Sequence, residues 1–80
     1  MCDIEERPAF RRSLRRLSKE YQERVRKALT DLSRNPHLGK PLKGRYRGLW
    51  RLTVGKYRIV YDPMPCRVVL IVIGHRETVY

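Results

Sequence analysis

Residues 49–61 read Leu49-Trp50-Arg51-Leu52-Thr53-Val54-Gly55-Lys56-Tyr57-Arg58-Ile59-Val60-Tyr61. Apolar and polar residues alternate on both sides of Gly55-Lys56, which is the period of a β-strand. Gly at the first central position of a two-residue loop suits a type II′ hairpin turn. Such a turn pairs Val54 with Tyr57, Thr53 with Arg58, Leu52 with Ile59, Arg51 with Val60 and Trp50 with Tyr61. One face then carries Trp50, Leu52, Val54, Tyr57, Ile59 and Tyr61 and reads as core. The other carries Arg51, Thr53, Arg58 and Val60 and is unusually basic.

Working outward, Cys2-Asp3-Ile4-Glu5-Glu6 has the acidic content of an exposed edge strand. Pro8 suits a first helical turn, and Phe10, Leu14 and Leu17 follow at helical spacing. Ser18 is a natural N-cap for a second helix, whose apolar stripe is Tyr21, Val25, Ala28, Leu29 and Leu32. Asn35-Pro36 ends it. The spacing predicts a helical hairpin over 8–34, broken near Ser18 to Glu20. Residues 35–48, with Pro36, Gly39, Pro41, Gly44 and Gly48, read as a loop. Asp62-Pro63-Met64-Pro65 reads as a turn, because Pro does not continue a central ladder. Residues 67–73 are apolar at every position after Arg67, as in a strand covered at least in part on both faces. Gly74 to Glu77 is expected to leave that strand.

The order is β-α-α-β-β-β, an α+β domain spanning residues 1–80. An N-terminal strand and a two-helix hairpin precede a three-stranded antiparallel meander. The helices should pack on one face of the sheet, since their apolar stripe needs a partner. The other face is left partly open and presents Arg51 and Arg58.

A chain of 80 residues buries only roughly 60% of its unfolded surface. Its formal charge of +11 repels itself and attracts polyanions, so nucleic acid and acidic proteins are the natural partners. The excess is densest in residues 35–62, with seven bases and one acid. There Tyr46, Trp50, Tyr57 and Tyr61 are interleaved with cations, equipment that suits RNA or single strands. For Trp50, Tyr57 and Tyr61, core packing is the competing reading. Arg11, Arg12, Arg15, Arg16 and Lys19 mark the outer helix face, either solvated or a secondary phosphate-binding ridge. No apolar run reaches the length of a transmembrane helix, and no signal-peptide core is evident. Cys2 and Cys66 are too few and too far apart in sequence for a zinc site or disulfide framework. They read as reduced thiols of a cytoplasmic protein, and would be neighbours only if the first strand lay beside the loop holding Cys66.

His37 and His75 are isolated, and the second half holds only two acids, Asp62 and Glu77. No spacing supports a metal site, a cofactor or a Ser/Cys–His–acid nucleophile. What remains is Arg, Lys, His and Tyr. Such groups hold a phosphodiester, neutralise its transition-state charge, and let an RNA 2′-hydroxyl attack.

At this point the sequence resembles the RelE/ParE superfamily of toxin–antitoxin toxins, on the RelE side. The pieces that carry the resemblance span nearly the whole chain. They are Gly39-Lys40-Pro41-Leu42-Lys43-Gly44, Leu49-Trp50-Arg51-Leu52, Val54-Gly55-Lys56-Tyr57-Arg58-Ile59-Val60-Tyr61, and Ile73-Gly74-His75-Arg76-Glu77 followed by Val79-Tyr80. The resemblance implies a ribosome-dependent endoribonuclease that cuts mRNA in the A site without metal, leaving a 2′,3′-cyclic phosphate. By position it implies that Arg58, Arg76, Tyr80 and Arg51 act in catalysis. Arg58 and Arg76 would neutralise charge, Arg51 would orient the nucleotide, and Tyr80 would stack on mRNA or move a proton. Lys40, Lys43, Arg45, Arg47 and His75 would contact RNA. An antitoxin, often acidic, is the implied protein partner. Two departures stand out. Position 53 is Thr where such toxins usually carry a second Lys or Arg, and the chain ends at Tyr80, which would set an α-carboxylate beside the site. A ParE-like inhibitor of DNA gyrase and a non-catalytic nucleic-acid-binding relative remain the alternatives.

Overall fold

The computed structural model describes residues 2–75 and Glu77. Strand β1 (Asp3–Glu6) leads into helices α1 (Pro8–Arg15) and α2 (Lys19–Arg34). Four further strands follow: β2 (Lys40–Pro41), β3 (Trp50–Val54), β4 (Tyr57–Met64) and β5 (Arg67–His75). They form one five-stranded sheet in the order β1-β5-β4-β3-β2. The class is α+β as expected, with a fifth strand and one parallel pair, β1 with β5.

Each helix starts where its local chemistry dictates. Pro8 occupies the first turn of α1, where a missing N–H costs nothing. Ser18 caps α2, its Oγ accepting from the Tyr21 N–H at 3.3 Å. The break between the helices falls at residues 16–18, two residues earlier than the Ser18 to Glu20 expected, and Lys19 and Glu20 already belong to α2. Asn35 ends α2, and its side chain accepts from the His37 N–H at 3.1 Å, turning the chain toward β2. Phe10, Val25 and Leu32 are fully buried and pack with Val54, Ile59, Tyr61, Val68, Leu70 and Ile73.

The β3–β4 register is the one that alternation predicts, Trp50 with Tyr61 through Val54 with Tyr57. Gly55 has φ +60°, as the first central residue of the turn requires. A Cβ there would also meet the Tyr21 hydroxyl at 2.6 Å. Between β4 and β5 the register shifts: Val60 faces Val72, but Tyr61 faces Leu70. Ile71 is the extra residue of a β-bulge, which lets both Leu70 and Ile73 reach the core. Beyond the end of β1, α1 covers the β5 edge. The Ile73 N–H donates to Ser13 Oγ at 3.1 Å, and the Arg7 N–H to the Leu70 carbonyl at 3.1 Å.

Three local expectations are corrected. Within 35–48, Lys40 and Pro41 pair with Arg51 and Trp50 as an edge strand, and Gly44–Tyr46 makes a turn of 3-10 helix. A two-residue strand is too short to show periodicity, and Pro is tolerated on an edge. Asp62-Pro63-Met64 is not a turn: β4 runs through it, and the reversal is at Pro65-Cys66. β3 pairs only as far as Tyr61, so Pro63 lies where β4 has β5 on one side alone. Finally, β5 continues through Gly74 and His75, opposite Arg58 and Tyr57.

Gly39 shows how tightly β2 docks. A Cβ on it would collide with the Arg51 carbonyl and lie 2.8 Å from the Tyr61 hydroxyl. At Gly44, φ is +68° but nothing lies within 4 Å. Gly39→Ala is therefore expected to cost about 2–3 kcal/mol in urea unfolding, against about 1 kcal/mol for Gly44→Ala. Equal losses for the two would contradict the close docking of β2.

Candidate nucleic-acid interface

Register fixes which side chains share the face away from the helices. One cross-strand row is Lys40, Arg51, Val60 and Val72; the next is Thr53, Arg58 and Gly74. Residues directly opposite lie about 5 Å apart at Cβ, close enough for two cations to grip one phosphate. The rows toward the other end are Asp62, Val69 and Glu5, then Met64, Arg67 and Asp3. The open face is thus polarised. Cations gather at the hairpin-turn end, and acids lie near β1, where Glu5 pairs with Arg7 and Arg67, both at 3.6 Å. Those pairs are exposed and worth less than about 1 kcal/mol each.

The floor of this face is apolar, with Val60 fully buried and Val69 nearly so. Arg51 and Arg58 are half-buried on it, and the Nε of Arg58 is itself shielded from solvent. A shallow cleft of about 310 Å³ opens against β2, lined by Leu38, Gly39, Lys40, Arg51, Leu52 and Thr53. It exists because Gly39 lets β2 sit close to β3. Tyr61 completes the support from below. Its ring is in the core, and its hydroxyl accepts the Gly39 N–H at 3.0 Å. The sequence offers stacking or core packing for Tyr61, and not this hydrogen bond; the signal for it is the glycine immediately before Lys40 of β2.

Of the residues proposed from sequence, Lys40, Arg51, Thr53 and Arg58 come together. Lys43, Arg45 and Arg47 are exposed in the loop that follows β2. His75 is not beside Arg58. It lies opposite Tyr57, with the rings 6.1 Å apart, on the helix side of the sheet. Arg76 and Tyr80 lie outside the described residues. Strand alternation sends Trp50, Tyr57 and Tyr61 to the core side, on the opposite face of the sheet from Arg51 and Arg58, although the Lys56 ammonium still lies 5.6 Å from the Tyr57 ring centre. Tyr57 meets Tyr21 edge-on at 4.8 Å, and the Arg24 guanidinium lies 4.7 Å from the Tyr21 ring centre. Trp50 meets His37 at 4.8 Å.

A small α+β domain with one basic, cleft-bearing sheet face is the class that fold and site define. The model of the ParE toxin of type II toxin–antitoxin systems matches residues 4–80. A chain of the RelBE2 toxin–antitoxin complex from Mycobacterium tuberculosis is 30% identical, with a TM-score of 0.84 over 94% of this chain and 98% of that one. The intact RelBE complex of E. coli contains a chain 20% identical, TM-score 0.83, covering 96% of this chain and 99% of that one. YafQ from E. coli is 16% identical, TM-score 0.79, with 96% of each chain covered. No curated protein matches in sequence. The chain belongs to the ParE toxin family of type II toxin–antitoxin systems, within the RelE/ParE superfamily.

Burial raises the Tyr61 hydroxyl above its ordinary pKa of 10.0, although the bond from Gly39 opposes the rise. The folded state thus holds this proton more tightly than the unfolded chain does. The stability it contributes is complete below pH 10 and lost as pH rises through the folded value. Tyr61→Phe is expected to lose about 1 kcal/mol at neutral pH and to show a shallower stability decline above pH 10 than the parent. Identical alkaline profiles would remove Tyr61 from that role.

Proposed function

We propose that this toxin cuts mRNA in the ribosomal A site through attack of the RNA's own 2′-hydroxyl. The observation that carries the reading is the gathering of Lys40, Arg51, Thr53 and Arg58 on one open sheet face beside a cleft. In this reaction the 2′-oxygen bonds to phosphorus, the 5′-oxygen leaves, and a 2′,3′-cyclic phosphate remains. One proton leaves the attacking hydroxyl and one reaches the leaving oxygen. Arg58 neutralises the charge that grows on the phosphoryl oxygens, an effect worth about 10²–10³ in rate for one well-placed donor. Arg51 orients the nucleotide, and Lys40 holds the neighbouring phosphate. Lys43, Arg45 and Arg47 extend the contact along RNA backbone. Arg76 and Tyr80 complete the set, with Tyr80 as the stacking or proton-moving group. Thr53 offers a hydroxyl where its relatives offer a cation, so turnover is slower. The ribosome and mRNA are the targets, which places the action in the cytoplasm.

The match to the ParE toxin model favours a second reading, inhibition of DNA gyrase by the same fold without nuclease chemistry. Under either reading the protein partner is an antitoxin whose acidic residues mask the basic face. The RelB–RelE complexes among the structural relatives support such a partner.

Primer extension on mRNA from programmed ribosomes separates the two. Cleavage at the A-site codon is expected, reduced about 100-fold by Arg58→Ala and raised several-fold by Thr53→Lys. Intact mRNA together with blocked supercoiling by gyrase would overturn the nuclease reading in favour of the second. Binding of the product of a neighbouring antitoxin gene is expected to raise the melting temperature by about 10 °C or more at saturation. An unchanged melting temperature would remove that product as the partner.

A further inference from the structure

Cys2 and Cys66 are 64 residues apart in sequence, yet the Cys2 thiol donates to the Cys66 sulfur at 3.2 Å. Strand β1 runs parallel to β5, with Asp3 beside Arg67, so the two residues just before this ladder are brought side by side. Their backbones are tied down. The Asp3 N–H donates to the Cys66 carbonyl at 3.2 Å, and the Cys2 N–H to the Ser33 carbonyl at 2.8 Å. Neighbouring strands lie about 4.8 Å apart, within the range that a disulfide spans. Cys66 is exposed and Cys2 half-exposed, so an oxidant in solution reaches the pair.

The turn that holds Cys66 adds a second observation. Pro65-Cys66 connects β4 to β5, with Cys66 at φ +50°. Pro at the first central position and a left-handed residue at the second is the type II pattern, in which Gly or Asn is the relaxed choice. The chain holds a thiol-bearing side chain in that strained position, aimed at the one other cysteine of the sequence.

We propose that Cys2 and Cys66 are a dithiol modification site, closed to an intramolecular disulfide by small-molecule disulfides of the glutathione class. The exposed Cys66 thiolate attacks the small disulfide, forming a mixed disulfide and releasing one thiolate. The Cys2 thiolate then attacks the Cys66 sulfur, forming the protein disulfide and releasing the second. The protein loses two electrons and two protons, and the reagent becomes two thiols. In the reduced state the bond to the Cys66 sulfur holds the Cys2 thiol above its ordinary pKa. The closed staple joins the residue before β1 to the β4–β5 turn and encloses both helices and strands β1 to β4. A loop of this length restricts the unfolded chain strongly, so the gain falls on a domain that otherwise works against its own charge. The site lies at the acidic end of the sheet, away from the proposed phosphate cleft, and the inference stands independently of the cleavage reading.

The test is incubation of the folded protein with oxidised glutathione, followed by intact-mass measurement, peptide mapping without reductant and thermal unfolding. The expected product is a monomer lighter by two hydrogens, with a Cys2–Cys66 cross-linked peptide. Its melting temperature should exceed that of the dithiothreitol-treated protein by about 10 °C or more. Cys2→Ser, folded by circular dichroism, is expected to stop at a stable glutathione adduct on Cys66 with no thermal gain. Covalent dimers, a persistent adduct on the parent protein, or a cross-linked monomer of unchanged melting temperature would each overturn the proposal.

Discussion

The register of the β3–β4 ladder is the constraint on which everything else rests. Side chains alternate along a strand, so a slip of one residue would drive Arg51 and Arg58 into the core and expose Leu52, Ile59 and Tyr61. Gly55 fixes that register from the turn. Tyr21, whose ring lies against the turn and meets Tyr57 edge-on, fixes it from α2. The bulge at Ile71 then re-phases β5, so that its core residues still meet the helices. Gly39 and the Tyr61 hydroxyl finally bring β2, and with it Lys40, against Arg51.

The same alternation explains the electrostatics. A chain with nineteen Lys and Arg against eight acids cannot hide its charge, but it can sort it. The sheet puts Lys40, Arg51 and Arg58 at one end of the open face and Asp3, Glu5 and Asp62 at the other. Exposed cations on both helices add a broad field that draws polyanions in. In the proposed cleavage reaction the half-buried arginines near Val60 would carry the specific contact, since a phosphate held over an apolar floor is screened less by solvent.

Much of this was legible in the sequence, and what was not has a physical reason. The hairpin, its register, the two helices and the Ser18 cap follow from period and turn chemistry, which are local. β2 was hidden because two residues show no period, and its docking depends on a backbone approach that only the missing Cβ of Gly39 reports. The 62–65 segment misled because Pro63 reads as a breaker until one sees that β3 has already ended beside it. On the site, alternation brought Arg51, Thr53 and Arg58 together in advance. It also placed Tyr57 and Trp50 on the core side, which removes them as stacking platforms on the open face. His75 follows the same rule: its partner across the ladder is Tyr57, so it shares the helix side of the sheet. The nearness of Cys2 and Cys66 depends on a parallel pairing between the two ends of the chain, which no local pattern encodes.

The central claim is that the sheet face, rather than the arginine-rich helices, receives the phosphates. Titrating isotope-labelled toxin with a short, uncleavable oligoribonucleotide while following backbone amide shifts tests this directly. The account predicts saturable shifts concentrated at Lys40, Arg51, Thr53 and Arg58, with small and diffuse changes along Arg11 to Lys19. Shifts confined to the helices, with the β2–β4 amides unmoved, would contradict it.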